Sequence, residues 1–511
     1  KYVQTSYSAG KYSFVADASA LREYVAVKPS AYFPAPTFVE EVANQNLHAI
    51  KNVDFVVIAP DEYLAYANRL ADLHSQYDGV STLVVTPQQI YNEFSSGTPD
   101  ATADRWLMKS IYDSVADGHR PQSLLLFGDA TYGHRGYQKV NVPYNKVLTY
   151  ESVNSLHTIT GSYATDDYFG MLSDKTGANL VSDTMSIGVG RLPVSSAEQA
   201  SAMVAKVQTY LKDSLKGDWK NRFVYIADDD NDANLCYTWQ SDTLAKRIEK
   251  SHKEFQVTRL FTDAFSKTVT SNGASYPEVH YKIMQYFSEG TLFFDYTGHG
   301  STEGLAAEKF FDRTDITNLY NKKYPFFYTA TCDYSDFDKS SVSSGEELLL
   351  RDKGGAIALL TACRTVYADG NFALNKNYHE HFLAKENGKP ITFGESFRRA
   401  KNTTAKGLSA SNRLPYVLLG DPALRFPLPT RKIVVDSVNM MRLQPDGSMS
   451  YKYPVLVNDS LRNKFAFDTI KALSVVRIKG RVLDENAVKT DSLFDGTLSI
   501  VVQDKLKSIT T

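Results

Sequence analysis

The sequence predicts an α/β fold: mostly parallel sheets flanked by helices in two subdomains, with β-sandwich segments at both ends. Three observations predict it. Short continuous apolar runs such as Asp54-Phe-Val-Val-Ile-Ala59, Ser123-Leu-Leu-Leu-Phe127 and Arg222-Phe-Val-Tyr-Ile-Ala227 suit strands covered on both faces. These runs alternate with stretches of helical spacing, the order that yields a parallel sheet. Toward both ends of the chain the texture changes to β-like pieces broken by turn residues.

Residues 1–52 carry Tyr12-Ser-Phe-Val-Ala16 and Tyr24-Val-Ala-Val27, broken by Pro29, Pro34 and Pro36, and read as the end of an upstream β domain. The first α/β subdomain is expected over 53–215. Its strands are predicted at 54–59, 81–86, 123–127 and 187–191, and its helices at 62–77, 87–94, 106–116 and 196–215. Residues 130–185 read as loop. Gly217 to Trp219 mark the seam to a second subdomain, 216–428, with strands predicted at 222–227, 256–261, 290–296, 324–330 and 356–361. Its helices are predicted at 238–251, 276–288, 345–352, 377–387 and 392–405, and Pro415-Tyr-Val-Leu-Leu-Gly-Asp-Pro-Ala-Leu-Arg-Phe-Pro427 closes the unit. Beyond Pro429, alternating residues with turns at Pro445-Asp-Gly447 and Asp484-Glu-Asn486 predict a β-sandwich module over 429–511.

Composition narrows the function classes. A chain of 511 residues that is 43% hydrophobic exceeds one ordinary domain and is able to bury several cores. Its 56 lysines and arginines nearly balance 58 aspartates and glutamates, with no long basic run, so it lacks the electrostatic footprint of a nucleic-acid binder. The longest apolar stretches, such as Gly355-Ala-Ile-Ala-Leu-Leu-Thr-Ala362, fall far short of the roughly 20 residues that cross a bilayer, and this part of the chain is expected to be soluble. The chain starts at Lys1 without a leader-like segment, as a processed protein or a fragment would. Three cysteines, Cys236, Cys332 and Cys363, without Cys-x-x-Cys spacing, argue against a disulfide framework and a cysteine-based zinc site.

Two motifs carry chemistry. In Phe293-Phe-Asp-Tyr-Thr-Gly-His-Gly-Ser301 an apolar strand ends in a histidine between two glycines, which permit close backbone approach and leave the imidazole at the open end of a sheet. In Phe326-Phe-Tyr-Thr-Ala-Thr-Cys332-Asp-Tyr a second apolar strand ends in a cysteine where the run turns polar, a partly exposed setting for a thiol. The 33 residues between His299 and Cys332 suffice for one strand, one crossover and the next strand. Adjacent strand ends then bring thiol and imidazole together. His299 would stabilise the thiolate and protonate a leaving amine, while Cys332 attacks a scissile carbonyl to give a thioester. The backbone N–H groups of Gly300 and Cys332 are the natural oxyanion donors. Cys363, also near a strand end, is a rival nucleophile without that partner spacing, and a structural thiol is the favoured reading for it. His379 and His381, two apart on a predicted helix, do not share a face and do not read as a metal pair.

Tyr296-Thr-Gly-His-Gly-Ser301, the Ala330-Thr-Cys332 strand end at that spacing, Gly128-Asp129, Gly190-Arg191 and Leu419-Gly-Asp-Pro-Ala-Leu424 together resemble the gingipain peptidases, over roughly residues 54–428. Within that family, Val42-Ala-Asn-Gln-Asn-Leu-His48 before Asp54-Phe-Val-Val-Ile58 is similar to the sortase branch of type IX secretion. The resemblance implies a caspase-like pair of α/β subdomains followed by an immunoglobulin-like module, and a cysteine endopeptidase needing no cofactor for its chemistry. The sortase branch removes C-terminal signal domains from secreted cargo, joins the cargo to an amine of anionic lipopolysaccharide, and works at the bacterial outer membrane surface with other secretion components.

The resemblance also implies site residues. Its acidic partner of the histidine falls in Asp228-Asp-Asp-Asn-Asp232, where Asp230 is the matching position and Asp228, Asp229 and Asp232 stand as alternatives beside a plain solvated turn or calcium loop. In arginine-specific members an acid lines the primary specificity pocket, and Asp242 matches it. Gingipains carry structural calcium, for which Asp166-Asp167 and Asp228 to Asp232 offer oxygen donors, although no EF-hand pattern assigns ligands. Three readings of function follow: a secretion sortase, an ordinary cell-surface endopeptidase, and a non-catalytic scaffold. The presence of both His299 and Cys332 argues against the last.

Overall fold

The computed structural model describes residues 2–496 apart from 18, 29, 31–36, 39–40, 116–119, 134–144, 157–160, 214, 231–236, 272, 309, 408, 447, 452–474 and 485–487. Asp232, Cys236, the three N-terminal prolines and parts of the turns at 445–447 and 484–486 lie outside the described residues. Contacts divide the chain into Lys1–Gln45 and Asn46–Thr511. In the first unit, Ser6–Ser8 and Lys11–Ser13 pair as an antiparallel hairpin.

The apolar runs form strands without a solvent face. Phe55 and Val57 pack into one side-chain cluster while Val56 and Ile58 pack into another, which is why no polar alternation marks this strand. In chain order the elements are β1 (Phe55–Ile58), α1 (Leu64–Asp78), β2 (Thr82–Val85), α2 (Pro87–Phe94), α3 (Ala101–Asp113), β3 (Ser123–Phe127), β4 (Gly188–Leu192) and α4 (Ala197–Leu211). There follow β5 (Arg222–Ala227), α5 (Tyr237–Ser251), β6 (Gln256–Phe261), α6 (Pro277–Glu289), β7 (Phe293–Thr297), β8 (Phe326–Ala330) and α7 (Ser344–Leu350). Then come β9 (Ala358–Ala362), α8 (Ala368–His381), α9 (Phe393–Thr404) and β10 (Tyr416–Gly420). Helix starts are set locally: Thr86 and Gln89 form a capping box at α2, and Asp100 accepts from the Thr102 N–H at 2.8 Å to start α3.

Among the described residues ten strands join in one sheet, ordered β6-β5-β7-β8-β9-β10-β4-β3-β1-β2. All neighbours are parallel except β9 and β10. The strands of 53–215 and 216–428 therefore belong to a single sheet, in which β10 runs against β9 and with β4. Two parallel sets of opposite direction meet at that seam. The aromatic core lies on one face of the second set, where Phe293, Phe326, Tyr378, Phe382 and Phe426 are in mutual ring contact. Within the stretch expected to be loop, Tyr150–Glu151 pairs with Ala164–Thr165 and Asp167–Gly170 forms one helical turn.

Of residues 429–511, those described include β11 (Lys432–Leu443), β12 (Met449–Tyr451) and β13 (Val475–Leu483), an antiparallel sheet with a bulge between Val435 and Ser437. No described helix is long and apolar enough to cross a membrane.

Candidate active site

Functional groups gather beyond the carboxyl ends of β5, β7, β8 and β9, as expected of a parallel set. Thr297 pairs with Ala330 across β7 and β8, so His299 and Cys332 each stand two residues past the same register position. Neighbouring strands lie about 4.8 Å apart, which puts the two residues at adjacent exits of the sheet.

The glycines around His299 are required by packing. A Cβ on Gly298 would collide with Asp228 and the Tyr296 ring, and one on Gly300 would sit 2.6 Å from Thr331 Oγ1. Both glycines thus let the His299 loop press against the strand ends on either side. The His299 backbone is held on both sides: its N–H donates to Asp228 Oδ2 at 2.9 Å, and its carbonyl accepts from Tyr296 Oη at 2.6 Å and from the Ala306 N–H at 2.8 Å. The imidazole itself is exposed. Tyr237, the first residue of α5, meets it edge-on, with ring centroids 5.5 Å apart and Oη 3.5 Å from Nε2.

Cys332 is half-buried against the segment after β9. Its Sγ donates to the Val366 carbonyl at 3.3 Å and accepts from the Val366 N–H at 3.4 Å. Burial pushes the thiol above its ordinary pKa; the Val366 hydrogen bond opposes this, and Asp333 adds to the rise. The Val366 segment is itself anchored, since the buried Arg364 guanidinium holds Asp336 and bonds both oxygens of Asp338. Cys363 is fully buried, donates to the Ala164 carbonyl at 3.1 Å, and has its thiol pushed far up by burial.

Two backbone donors remain at the site. Because the Ala306 N–H bonds the His299 carbonyl, the facing pair Gly300 and Leu305 is of the non-hydrogen-bonded kind, which leaves the Gly300 N–H outside the hairpin ladder. The Cys332 N–H, beyond the end of β8, has no backbone partner among the described residues.

The acids are distributed differently from their order in the sequence. Asp230 accepts from the Tyr237 N–H at 2.7 Å and so caps α5, and among the described residues it reaches His299 through Tyr237. Asp228 touches the His299 backbone, not the ring; burial pushes it up to about 6 against the hydrogen bonds from the His299 and Asp229 N–H groups. Asp242 is engaged by Arg259 at 2.8 Å and Lys246 at 2.6 Å, and against the upward push of burial these cations hold its carboxyl below the usual range. A substrate cation would have to break those pairs to reach it. Tyr237 carried no signal in the sequence beyond being an aromatic residue just past an acidic loop, and Val366 acts through its main chain, which sequence does not label.

Among the described residues, several of the carboxylates expected as calcium donors are engaged by side-chain cations. Asp166 is held by Arg191 and Asp167 by Lys401. Carboxylate oxygens of Asp228, Asp229 and Glu308 lie within 4.8 Å of one another, but the Lys267 ammonium bridges Asp229 at 2.9 Å and Glu308 at 2.8 Å and takes the cation's place.

The fold is a mixed sheet flanked by helices and built as two opposed parallel sets, an α/β architecture of the caspase-like kind. The chain belongs to Peptidase family C25, whose sequence pattern matches residues 48–427. Among solved structures, the complex of Porphyromonas gingivalis RgpB pro- and mature domains gives a TM-score of 0.55 at 17% identity, covering 80% of this chain and 91% of that one. The Arg-specific cysteine proteinase gingipain R likewise gives 0.55 at 17% identity, covering 81% and 92%. Dimeric latent PorU from Porphyromonas gingivalis gives 0.44 at 24% identity, covering 89% of this chain and 36% of that one. Comparison with curated protein sequences finds no match.

Proposed function

We propose that the chain is a sortase-type cysteine endopeptidase that removes C-terminal signal domains from type IX secretion cargo and passes the cargo to an amine of anionic lipopolysaccharide. The work takes place at the outer surface of the bacterial outer membrane, beside other components of the secretion assembly. The observation that carries the catalytic part is the matched position of His299 and Cys332 past the Thr297 and Ala330 pair. Transfer of the Cys332 proton to the imidazole gives thiolate and imidazolium. The Sγ–C bond forms at the scissile carbonyl, the Gly300 and Cys332 N–H groups bind the oxyanion, and the C–N bond breaks as His299 returns a proton to the leaving amine. An incoming amine, deprotonated by His299, then forms a new C–N bond as the thioester C–S bond breaks.

The transfer half rests on the likeness of residues 42–58 to the sortase branch, and on chemistry. Water finishes a thioester unless an amine is bound beside it, because proximity is what raises effective concentration above bulk. The test is mass spectrometry of cargo exposed to the complete protein and its partner assembly at saturating acceptor. An amide-linked cargo C-terminus is expected; only free carboxyl termini would leave a plain endopeptidase.

A further inference from the structure

We propose that Tyr237 is the residue that positions His299, and that Asp230 serves the reaction by fixing Tyr237. The inference rests on His299 acting as the base of Cys332. Imidazole has two nitrogens, and the hydrogen bond made by one decides which proton the other carries. Tyr237 Oη faces Nε2 at 3.5 Å. With the phenol oxygen accepting the Nε2 proton, Nδ1 keeps the lone pair and is the nitrogen left to take the thiol proton. Once the imidazolium forms, Nε2–H is a charged donor, and a bond that is long in the resting enzyme shortens. Among the described residues no carboxylate meets the ring: Asp228 is spent on the His299 backbone, and Asp230 on the Tyr237 N–H.

The tyrosine is well placed to hold a direction. It is buried, it begins α5, and the 2.7 Å bond to Asp230 pins its backbone at the end of the helix that packs against β5 and β6. A helix start fixed by an acid is rigid, so the ring it carries is a firm stop for an otherwise exposed imidazole. Among the described residues, the titratable groups packed around His299 are Asp228 after β5, Tyr237 on α5 and Tyr296 on β7, with Glu308 beyond Asp228 and Cys332 at the neighbouring strand exit.

The experiment measures iodoacetamide labelling of Cys332 against pH, alongside kcat and KM for a peptide, in wild type, His299→Ala, Tyr237→Phe, Asp230→Asn and Asp230→Ala. Tyr237→Phe keeps the ring and removes the acceptor. It is expected to lower kcat about tenfold with KM little changed, and to move the rise of Cys332 labelling to higher pH, because the imidazolium that stabilises the thiolate has lost a partner. Asp230→Asn still accepts from the Tyr237 N–H and is expected to stay within about twofold of wild type, while Asp230→Ala should resemble Tyr237→Phe. A Tyr237→Phe enzyme with an unmoved labelling profile overturns the inference, as does an Asp230→Asn enzyme that loses the roughly 10⁴-fold expected of a directly bonded acid. If His299→Ala itself leaves labelling and turnover unchanged, the underlying assignment of the base fails instead.

Discussion

A thiol whose pKa burial pushes up is a poor nucleophile alone, so on the proposed mechanism Cys332 depends on His299 for its reactivity. That separates it from Cys363, which is deeper and bonded to the Ala164 carbonyl. Iodoacetamide at neutral pH should therefore label Cys332 at least roughly tenfold faster than Cys363 in the folded protein, and His299→Ala should erase most of that difference. Equal labelling, or preference for Cys363, would sink the assignment of the nucleophile. At this scale the sequence was informative where a residue's chemistry coincided with a strand end. His299 and Cys332 stood out because an apolar run stopped beside each. The acids did not, because five neighbouring positions offered four carboxylates and only the fold decides which of them turns toward the loop, the helix start or Lys267.

Elements were legible where one local signal set them and blurred where tertiary contacts did. The strand β7 was expected at 290–296 and runs Phe293–Thr297, close to the reading, since its apolar residues admit no other burial. Helix α3 was expected from 106 and begins at Ala101, because the Asp100 cap lies before the apolar spacing starts. Helix α8 was expected from 377 and begins at Ala368; its buried face carries Asn371, Asn375 and His379, so apolar periodicity is nearly absent from it. The hairpin after His299 gives the prediction for this scale. A Cβ at Gly300 would meet the branched Thr331 side chain at 2.6 Å from Oγ1 and 2.8 Å from Cγ2, closer than real Cβ contacts go, so the strand Gly300–Ser301 has to shift away from β8. That moves the Gly300 N–H from the place the proposed mechanism gives it as an oxyanion donor. Gly300→Ala should lower kcat about a hundredfold with KM nearly unchanged. Wild-type kcat in this variant would remove Gly300 from the oxyanion site.

For the whole molecule, no local pattern in the chain signals that the two α/β units share a sheet. The segment 415–427 read as the close of the second unit; in the fold β10 is the inner strand that joins β9 to β4, and strand order is a property of long-range pairing that local pattern does not carry. The Gly-Asp-Pro turn after it explains its place in the family motif in structural terms. Asp421 accepts from the Ala423 N–H at 2.9 Å and contacts His74 Nε2 at 2.8 Å, while His74 Nδ1 contacts Asp78 at 2.6 Å. His74 is fully buried on α1, so this imidazole ties the first helix of the α/β region to the turn after its last strand. Burial alone would lower its pKa, but the two carboxylates outweigh that and raise it from 6.5 to about 9. A group bound more tightly by protons in the folded state stabilises the fold fully below its unfolded pKa, and that contribution fades as pH rises through the folded value. The window is therefore pH 6.5 to 9, and the shift corresponds to about 3 kcal/mol. Urea unfolding of wild type and His74→Gln across pH 6 to 9.5 isolates this term from other titrating groups. The wild type should be the more stable at pH 6, and the gap should narrow steadily toward pH 9.5. A gap independent of pH would mean that His74 has the same pKa folded and unfolded, and a gap that widens as pH rises from 6 would mean that it is neutral in the fold, its link to Asp421 an ordinary hydrogen bond; either result overturns the ion pair.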